Sequence, residues 1–348
     1  MNGQIALLLI QDGIVNGAIY ALLALAIVLV FAVTRVLFVP QGEFVTFGAL
    51  SLAAFQLGRT PGIVWLLGGS ALVVTIVEVI SALRARRASR IPRIVGFYVA
   101  IPAVIIGLTI WLAPKNPPLL AQIALSIALV VPLGPITYRL VFQPLANASV
   151  LVLLIVSVAV HFALQGFGLV FFGAEGFRVA PFSEARWELG AITVTGQTLW
   201  VLGASVALMV LLLLFFERTL LGKALRATAV NRVGARLVGI SASAAGTLAF
   251  TVAALIGAVS GVLIIALTTL YYDSGFLIGL KGFVGSVVGA VVSYPLAVVG
   301  ALLVGLFESF GSFWHSAYKE AIVFSLLIPV LLWRSLRSFH MEEEEEEE

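Results

Sequence analysis

Ile14-Val15-Asn16-Gly17-Ala18-Ile19-Tyr20-Ala21-Leu22-Leu23-Ala24-Leu25-Ala26-Ile27-Val28-Leu29-Val30-Phe31-Ala32-Val33 is an unbroken stretch without one charged side chain. An α-helix needs about 20 such residues to cross the roughly 30 Å hydrocarbon core of a bilayer. The stretch lacks the alternation of polar and apolar positions that a membrane barrel strand requires. In lipid the backbone must satisfy its own hydrogen bonds, so a run of this kind is a helix.

Working outward, comparable runs fall at 10–34, 41–57, 62–83, 93–113, 119–140, 149–172, 193–216, 246–269, 276–294, 295–312 and 318–334. The second is short and the ninth and tenth are nearly fused, which makes these the places for re-entrant or half-spanning helices. The expected fold class is all-α: a polytopic integral membrane helical bundle with about 9–11 crossings, counted from those runs. Composition agrees. The 348 residues are 61% hydrophobic and 11% charged, against about 25% charged in soluble domains, and mean hydropathy is +1.14.

The formal charge of +3 hides an excess of bases, because seven of the 17 acids are Glu342 to Glu348. Residues 338–348 read as an appended acidic tag or artefact, and residues 1–337 as one transmembrane domain. Lys and Arg collect in cytoplasmic loops. One side of the proposed topology carries Arg35, Arg84, Arg86, Arg87, Arg90, Arg93, Arg139, Arg218, Lys223, Arg226, Arg232, Arg236, Arg334 and Arg337. The other carries Arg59, Lys115, Arg178, Arg186 and Lys319. The first side is therefore expected to be cytoplasmic, with the N-terminus outside and the C-terminus inside. The bases are scattered over short loops without a nucleic-acid-binding motif. The absence of cysteine excludes disulfides, Cys-ligated zinc and iron–sulfur clusters, and no metal site is expected. The first run lacks a basic leader and a cleavage site, so it reads as a mature helix rather than a removed signal.

The longest polar segment, 217–245, is the candidate for contact with the cytoplasm. Helix formers dominate Ala224 to Val230 and Ala235 to Val238, with Asn231 placed to cap between them. Gly239-Ile240 resembles a helix stop with glycine at the position of positive φ. Ser241 or Ser243 is placed to cap the next membrane helix. The segment reads as a short helix pair lying across the membrane axis, with Lys223, Arg226, Arg232 and Arg236 exposed. A basic loop that only anchors topology is the plainer alternative.

Gly222-Lys223-Ala224-Leu225-Arg226-Ala227, with Asn231-Arg232, Ala235 and Gly239-Ile240, resembles the ATPase-contacting loop of ABC importer permeases. More narrowly, it is similar to the branched-chain amino-acid permease family of LivH/LivM type. Asn16 to Leu25, Arg139-Leu140-Val141-Phe142-Gln143-Pro144-Leu145, Gly279-Leu280-Lys281-Gly282-Phe283 and Ala317 to Phe324 resemble the family in the same order. Two stretches depart from its pattern: Leu37 to Glu43, and an added basic loop and helix at 84–118. The resemblance implies a bacterial inner-membrane subunit, a second permease (the same or a related chain), two cytoplasmic ATPases and a soluble substrate-binding protein. ATP and Mg would belong to the partners. This chain lacks a Gly-x-x-x-x-Gly-Lys-[Ser/Thr] loop, carries no cofactor of its own and is not expected to be an enzyme. The function implied is uptake of branched-chain or related small amino acids by alternating access. Urea, amides or aromatic acids are alternative solutes, and an ion-driven secondary carrier is an alternative class.

Ionisable groups inside a membrane are expensive and mark functional candidates. Asp12, Glu43, Glu78, His161, Lys281 and Glu308 fall in or near apolar runs. Lys281 and Glu308 are expected to pair across the bundle, either structurally or at a substrate. Asp12 and Glu43 read as solvated or capping groups, and His161 as a buried, hydrogen-bonded histidine. No acid–His or acid–acid constellation is evident in the sequence. Tyr20, Gln41 and Thr46 join Lys281 and Glu308 as candidate pathway residues. Gly13-x-x-x-Gly17, Gly257-x-x-x-Gly261 and Gly285-x-x-x-Gly289 place small residues on one helix face for close packing. Ser274-Gly275 and Tyr294-Pro295 are expected helix breaks.

Overall fold

Nearly every apolar run becomes a helix with the boundaries its caps and breakers dictate. The computed structural model describes residues 3–86, 89, 91–189, 192–289, 293–325, 328, 329 and 332. The acidic tail and Arg87, Arg90, Arg334 and Arg337 lie outside the described residues. In chain order the helices are α1 (Gly3–Thr34), α2 (Gln41–Gln56) and α3 (Ile63–Arg84). A span at Ile91–Lys115 follows, built from α4 (Ile91–Val95), a π-turn and α5 (Ile101–Leu112). Another, Leu119–Phe142, contains α6 (Leu119–Val130), α7 (Leu133–Thr137) and a second π-turn. Then come α8 (Val150–Phe172), α9 (Gly196–Arg218), α10 (Leu220–Val230), α11 (Arg232–Leu237) and α12 (Ala242–Ile264). The chain continues through α13 (Ser274–Val288), α14 (Tyr294–Trp314) and α15 (Lys319–Ser325). Among the described residues, eight helices are long and apolar enough to cross a membrane. The fold is a polytopic helical membrane bundle.

The bundle is organised around α1, whose inner two-thirds is buried on all sides by α2, α9, α12, α13 and α14. Glycine makes the closest crossing possible. A Cβ on Gly13 would stand 2.8 Å from the Leu306 backbone, one on Gly17 2.9 Å from that of Leu302, and one on Gly305 2.3 Å from the Gly13 carbonyl. The small-residue face read from the sequence is thus a flush contact between α1 and α14. Lipid tails are as apolar as leucine, so such packing, rather than escape from water, holds membrane helices together.

The two short helices are the irregular part of the fold. At 16 and 15 residues, α2 and α13 are about 24 and 22 Å long at 1.5 Å per residue. After α1 the chain turns at Arg35 (φ 64°) and re-enters the bundle, where the Val39 amide donates to Ser157 Oγ at 2.9 Å. The α2 N-terminus therefore starts inside protein, where non-helical backbone is tolerated at membrane depth. It meets α13 in backbone contact: a Cβ on Gly42 would lie 1.8 Å from the Gly275 carbonyl. One sequence expectation is corrected. Glu43 opens α2 yet is fully buried rather than solvated, because the chain re-enters before the helix begins. Asp12 is exposed, in keeping with a solvated group, although it lies within α1 because the helix continues outward past the apolar run. The expected breaks at Ser274 and Tyr294 are the first residues of α13 and α14.

Local order also appears where only a loop was expected. Ile192-Thr193-Val194-Thr195 is β-branched, which favours extended backbone. It forms strand β2 (Ile192–Thr195), antiparallel to β1 (Arg186–Leu189), with Trp187 opposite Val194. The hairpin delays the start of α9 to Gly196, with Thr195 as its cap. This hairpin marks one end of the bundle; α10 and α11 mark the other. Replacing Gly305 with Leu should lower stability by about 2–3 kcal/mol, the range of overpacked cores. Gly203→Leu, where a Cβ meets nothing within 4 Å, should leave thermal unfolding in detergent unchanged. Equal melting curves for the two variants would contradict this packing scheme.

Candidate functional site

Two polar constructions stand out at opposite ends. At the first, α10 and α11 form an elbow with a cap at every joint. Thr219 Oγ1 accepts from the Gly222 amide (3.0 Å), Asn231 Oδ1 from Gly234 (2.8 Å) and Ser241 Oγ from Ala244 (3.3 Å). Each satisfies a helix N–H that would otherwise lack a partner. Gly239 has φ 86°, its amide donates to the Arg236 carbonyl, and the Ile240 amide donates to the Ala235 carbonyl. This is the paired C-terminal closure of a Schellman motif, as the sequence implied.

The named elbow residues divide into two groups. Gly222, Leu225 and Ala235 face inward; a Cβ on Gly222 would sit 2.1 Å from the Phe215 carbonyl, so α10 folds tightly on the end of α9. Lys223, Arg226, Ala227, Asn231, Arg236 and Gly239 are exposed, and Ala224 is half-buried. Arg232 departs from expectation: it is half-buried, with Nη1 donating to the Ala146 carbonyl at 3.4 Å. The α11 start packs against the 143–149 loop and draws that side chain inward. Arg226, although exposed, donates to the Phe216 carbonyl at 3.0 Å and so caps α9. The face left open is apolar as well as basic, with Val230 87% and Leu237 83% exposed beside Val233 and Val238.

Behind the elbow, Arg139 ties three helices together. Its Nη2 donates to Glu78 Oε2 at 2.7 Å and Nε to Glu78 Oε1, while Nη1 reaches Gln143 Oε1 and, at 3.3 Å, Ser243 Oγ. The planar guanidinium presents a fork that suits one carboxylate and leaves a donor over. Arginine in the Arg139 to Leu145 motif thus joins α3 to the start of α12. Glu78 and Ser243 carried no signal in the sequence that would have named them as its partners.

At the hairpin end a cleft of about 470 Å³ opens between α1, α13, α14 and α15. Its floor holds three of the five candidate pathway residues. Lys281 Nζ lies 2.5 Å from Glu308 Oε1, and Tyr20 Oη donates to Glu308 Oε2 at 2.6 Å. Lys281 also stands 3.1 Å from Glu320 Oε1 on α15, a partner 39 positions along the chain that the sequence did not point to. Asp12 and Asn16 of α1 line the opposite wall. The remaining two candidates are elsewhere. Gln41 and Thr46 are fully buried; Gln41 Nε2 donates to the Ala253 carbonyl at 2.9 Å, and Thr46 lies against Gly275. They hold α2 against its neighbours and line none of the cleft.

One constellation invisible in the sequence appears in the core. His161 Nδ1 is 3.0 Å from Glu43 Oε1, both side chains essentially inaccessible, but off the line a hydrogen bond requires. The Phe276 ring packs against the imidazole with centroids 4.6 Å apart. His161 is buried, as expected, with the Glu43 carboxylate as its polar neighbour.

A helical bundle with two short inner helices, buried ion pairs and a capped elbow at one end is that of a multi-pass membrane protein. The comparisons narrow that class. The family described as branched-chain amino acid transport system, permease component, matches residues 9–331, and the chain belongs to it. The permease protein BraD of Pseudomonas aeruginosa, from a high-affinity branched-chain amino acid transport system, is 28% identical over 69% of this chain and 80% of its own length. The LivH proteins of Escherichia coli K12 and Salmonella typhimurium LT2 are each 29% identical over 56% of this chain and 65% of theirs. No solved structure matches.

The buried pair gives a direct test of the cleft floor. Lys281→Met leaves Glu308 charged and unmatched, which should cost about 3–5 kcal/mol. Lys281→Met combined with Glu308→Leu should recover most of that loss in thermal unfolding. A double variant no more stable than Lys281→Met would show that the two groups do not depend on each other.

Proposed function

We propose that this chain is the membrane-spanning subunit of an ATP-binding-cassette importer that moves branched-chain or related small amino acids into the cell. Membership of the family supports permease function, and the elbow is the observation that carries the coupling. Two such subunits, identical or related, enclose the pathway; two ATPase subunits carrying ATP and Mg dock on α10 and α11; and a soluble binding protein delivers solute at the hairpin end.

The elbow end is the cytoplasmic one on charge grounds. Its described bases are Arg35, Arg84, Arg86, Arg93, Arg139, Arg218, Lys223, Arg226, Arg232 and Arg236, against Arg59, Lys115, Arg178, Arg186 and Lys319 at the other. On this reading the N-terminus lies outside and the C-terminus in the cytoplasm. An exposed row of Val230, Val233, Leu237 and Val238 beside basic residues is unsuited to water and fits a protein partner. Force on the elbow reaches the bundle by stiff routes. Gly222 seats α10 on α9, Arg232 grips the 143–149 loop, and Arg139 links that loop to α3 and α12. Closure of the ATPases thereby becomes a rigid-body movement of helices that exchanges access between the two faces. This chain itself breaks no covalent bond.

Val230→Asp with Leu237→Asp alters only outward-facing side chains. The pair should leave insertion and thermal unfolding unchanged while reducing solute-stimulated ATP hydrolysis of the assembled transporter by about tenfold or more, as loss of a central apolar contact does. Normal coupling in that variant would remove the docking role from the elbow.

A further inference from the structure

We propose that the slot behind the elbow, between α9 and α14, binds one acyl chain of a phospholipid whose headgroup carries a primary ammonium beside its phosphate. This holds whatever solute the chain moves and whatever docks on the elbow.

The slot follows from how the helices pack. Both α9 and α14 lie against α1, but they make few contacts with each other among the described residues. Between them is a cavity of about 220 Å³, floored by Leu29 of α1 and Ile256 of α12. Met209 and Leu213 wall it on the α9 side and Val298 on the α14 side. Leu213 is 56% exposed, on a helix the rest of the chain hardly covers, so this wall meets the bilayer. From Glu217 down to Met209 the slot runs eight positions along α9. At 1.5 Å per residue that is about 12 Å, most of one leaflet's share of a hydrocarbon core about 30 Å thick.

Its chemistry changes along that length. The deep part is alkyl, while Arg226, Glu217 and Tyr294 stand at the mouth. Arg226 gives one N–H to the Phe216 carbonyl; a guanidinium has five, so donors remain for a phosphate. Glu217 and the Tyr294 hydroxyl make no hydrogen bond or ion pair among the described residues. The Phe216 and Tyr294 rings, with centroids 5.6 Å apart, join α9 to α14 at that end.

One base, one acid and a hydroxyl above an apolar slot select the occupant. Water gains nothing from a cavity lined by hydrocarbon. A partner's helix, about 10 Å across, fills roughly 120 Å³ per residue, so fewer than two of its residues would fit. A small charged solute would bury its charge among Leu29, Ile256 and Val298, which is costly. A purely anionic headgroup sets its phosphate on Arg226 but has nothing for Glu217, and a choline headgroup has no N–H to donate there. A primary ammonium beside a phosphate serves both side chains, and the acyl chain makes the contacts that an empty slot forfeits. Because Arg226 belongs to α10 and Tyr294 to α14, the lipid ties the elbow to a helix that α10 hardly touches among the described residues.

The test uses the full chain in nanodiscs of phosphatidylethanolamine, phosphatidylcholine and phosphatidylglycerol in equal parts. Each lipid in turn carries a photoreactive diazirine near the end of its acyl chain. After irradiation, peptide mass spectrometry should find phosphatidylethanolamine joined to Met209, Leu213 or Val298 in clear excess over the other two lipids. Val298→Trp fills the slot and should cut that labelling about tenfold, by removing the space a ligand needs, without changing labelling of the lipid-facing side of α3. Met209→Trp, from the opposite wall, gives the same reading should Val298→Trp fail to fold. Glu217→Gln should keep the labelling but lose the preference for phosphatidylethanolamine over phosphatidylcholine. Equal wild-type labelling by the three lipids overturns the proposal, as does undiminished labelling in the tryptophan variants or a preference retained in Glu217→Gln. Wild-type labelling that spares Met209, Leu213 and Val298 overturns it as well, and is the result expected where a second copy of the chain covers the slot.

Discussion

Helices already surrounded by oil gain little by touching one another, so the bundle depends on contacts that lipid cannot imitate. Backbone-to-backbone approach at glycine supplies them. Where α1 crosses α14, and where α2 meets α13, there is no room for even a methyl group. Dispersion at that distance, added over a long crossing, replaces the hydrophobic effect as the source of cohesion. It also explains why α1 is the central element: Gly13 and Gly17 face α14 while larger residues on its other faces meet α2, α9, α12 and α13.

Packing this close gives the polar groups their meaning. Because the helices are stiff and their separations fixed, a lysine and a glutamate separated by 27 positions can be held at 2.5 Å, and an arginine can address three helices at once. Those contacts carry little net stability against the cost of desolvation, but each is strongly unfavourable to break on one side only. They therefore act as registers, fixing which turn of one helix lies opposite which turn of another. At the elbow the same logic runs through backbone carbonyls: exposed Arg226 and half-buried Arg232 are both bonded inward to carbonyl oxygens. A basic residue in such a loop serves the elbow's own rigidity.

The helices, the capped elbow and the glycine faces were legible in the sequence because each is a local property. A run of apolar residues, a Ser, Thr or Asn before a helix, and a glycine at a stop act within a few positions of themselves. The family resemblance was legible for the same reason, since its motifs are short. Pairing across the bundle was legible only where two charges had no other use, as with Lys281 and Glu308. Gln41 and Thr46 looked like pathway residues because polarity in an apolar run suggests a solute; in the fold both are buried, Gln41 bonded to the Ala253 carbonyl and Thr46 against Gly275. Glu320, Ser243 and the proximity of Glu43 to His161 gave no sign in the sequence, because each depends on helices far apart along the chain.

What the sequence determined by itself is that this chain crosses a membrane as helices and carries a capped elbow between two of them. Hydropathy over about 20 residues and capping over three or four are enough for that. Which charges meet, that α2 begins inside the protein, and that one cleft gathers acids and bases from α1, α13, α14 and α15 were decided only by tertiary structure. The reason is geometric: the identity of a neighbour across the bundle depends on helix rotation and depth, which are set by backbone contacts at glycines spread over the chain rather than by any single segment.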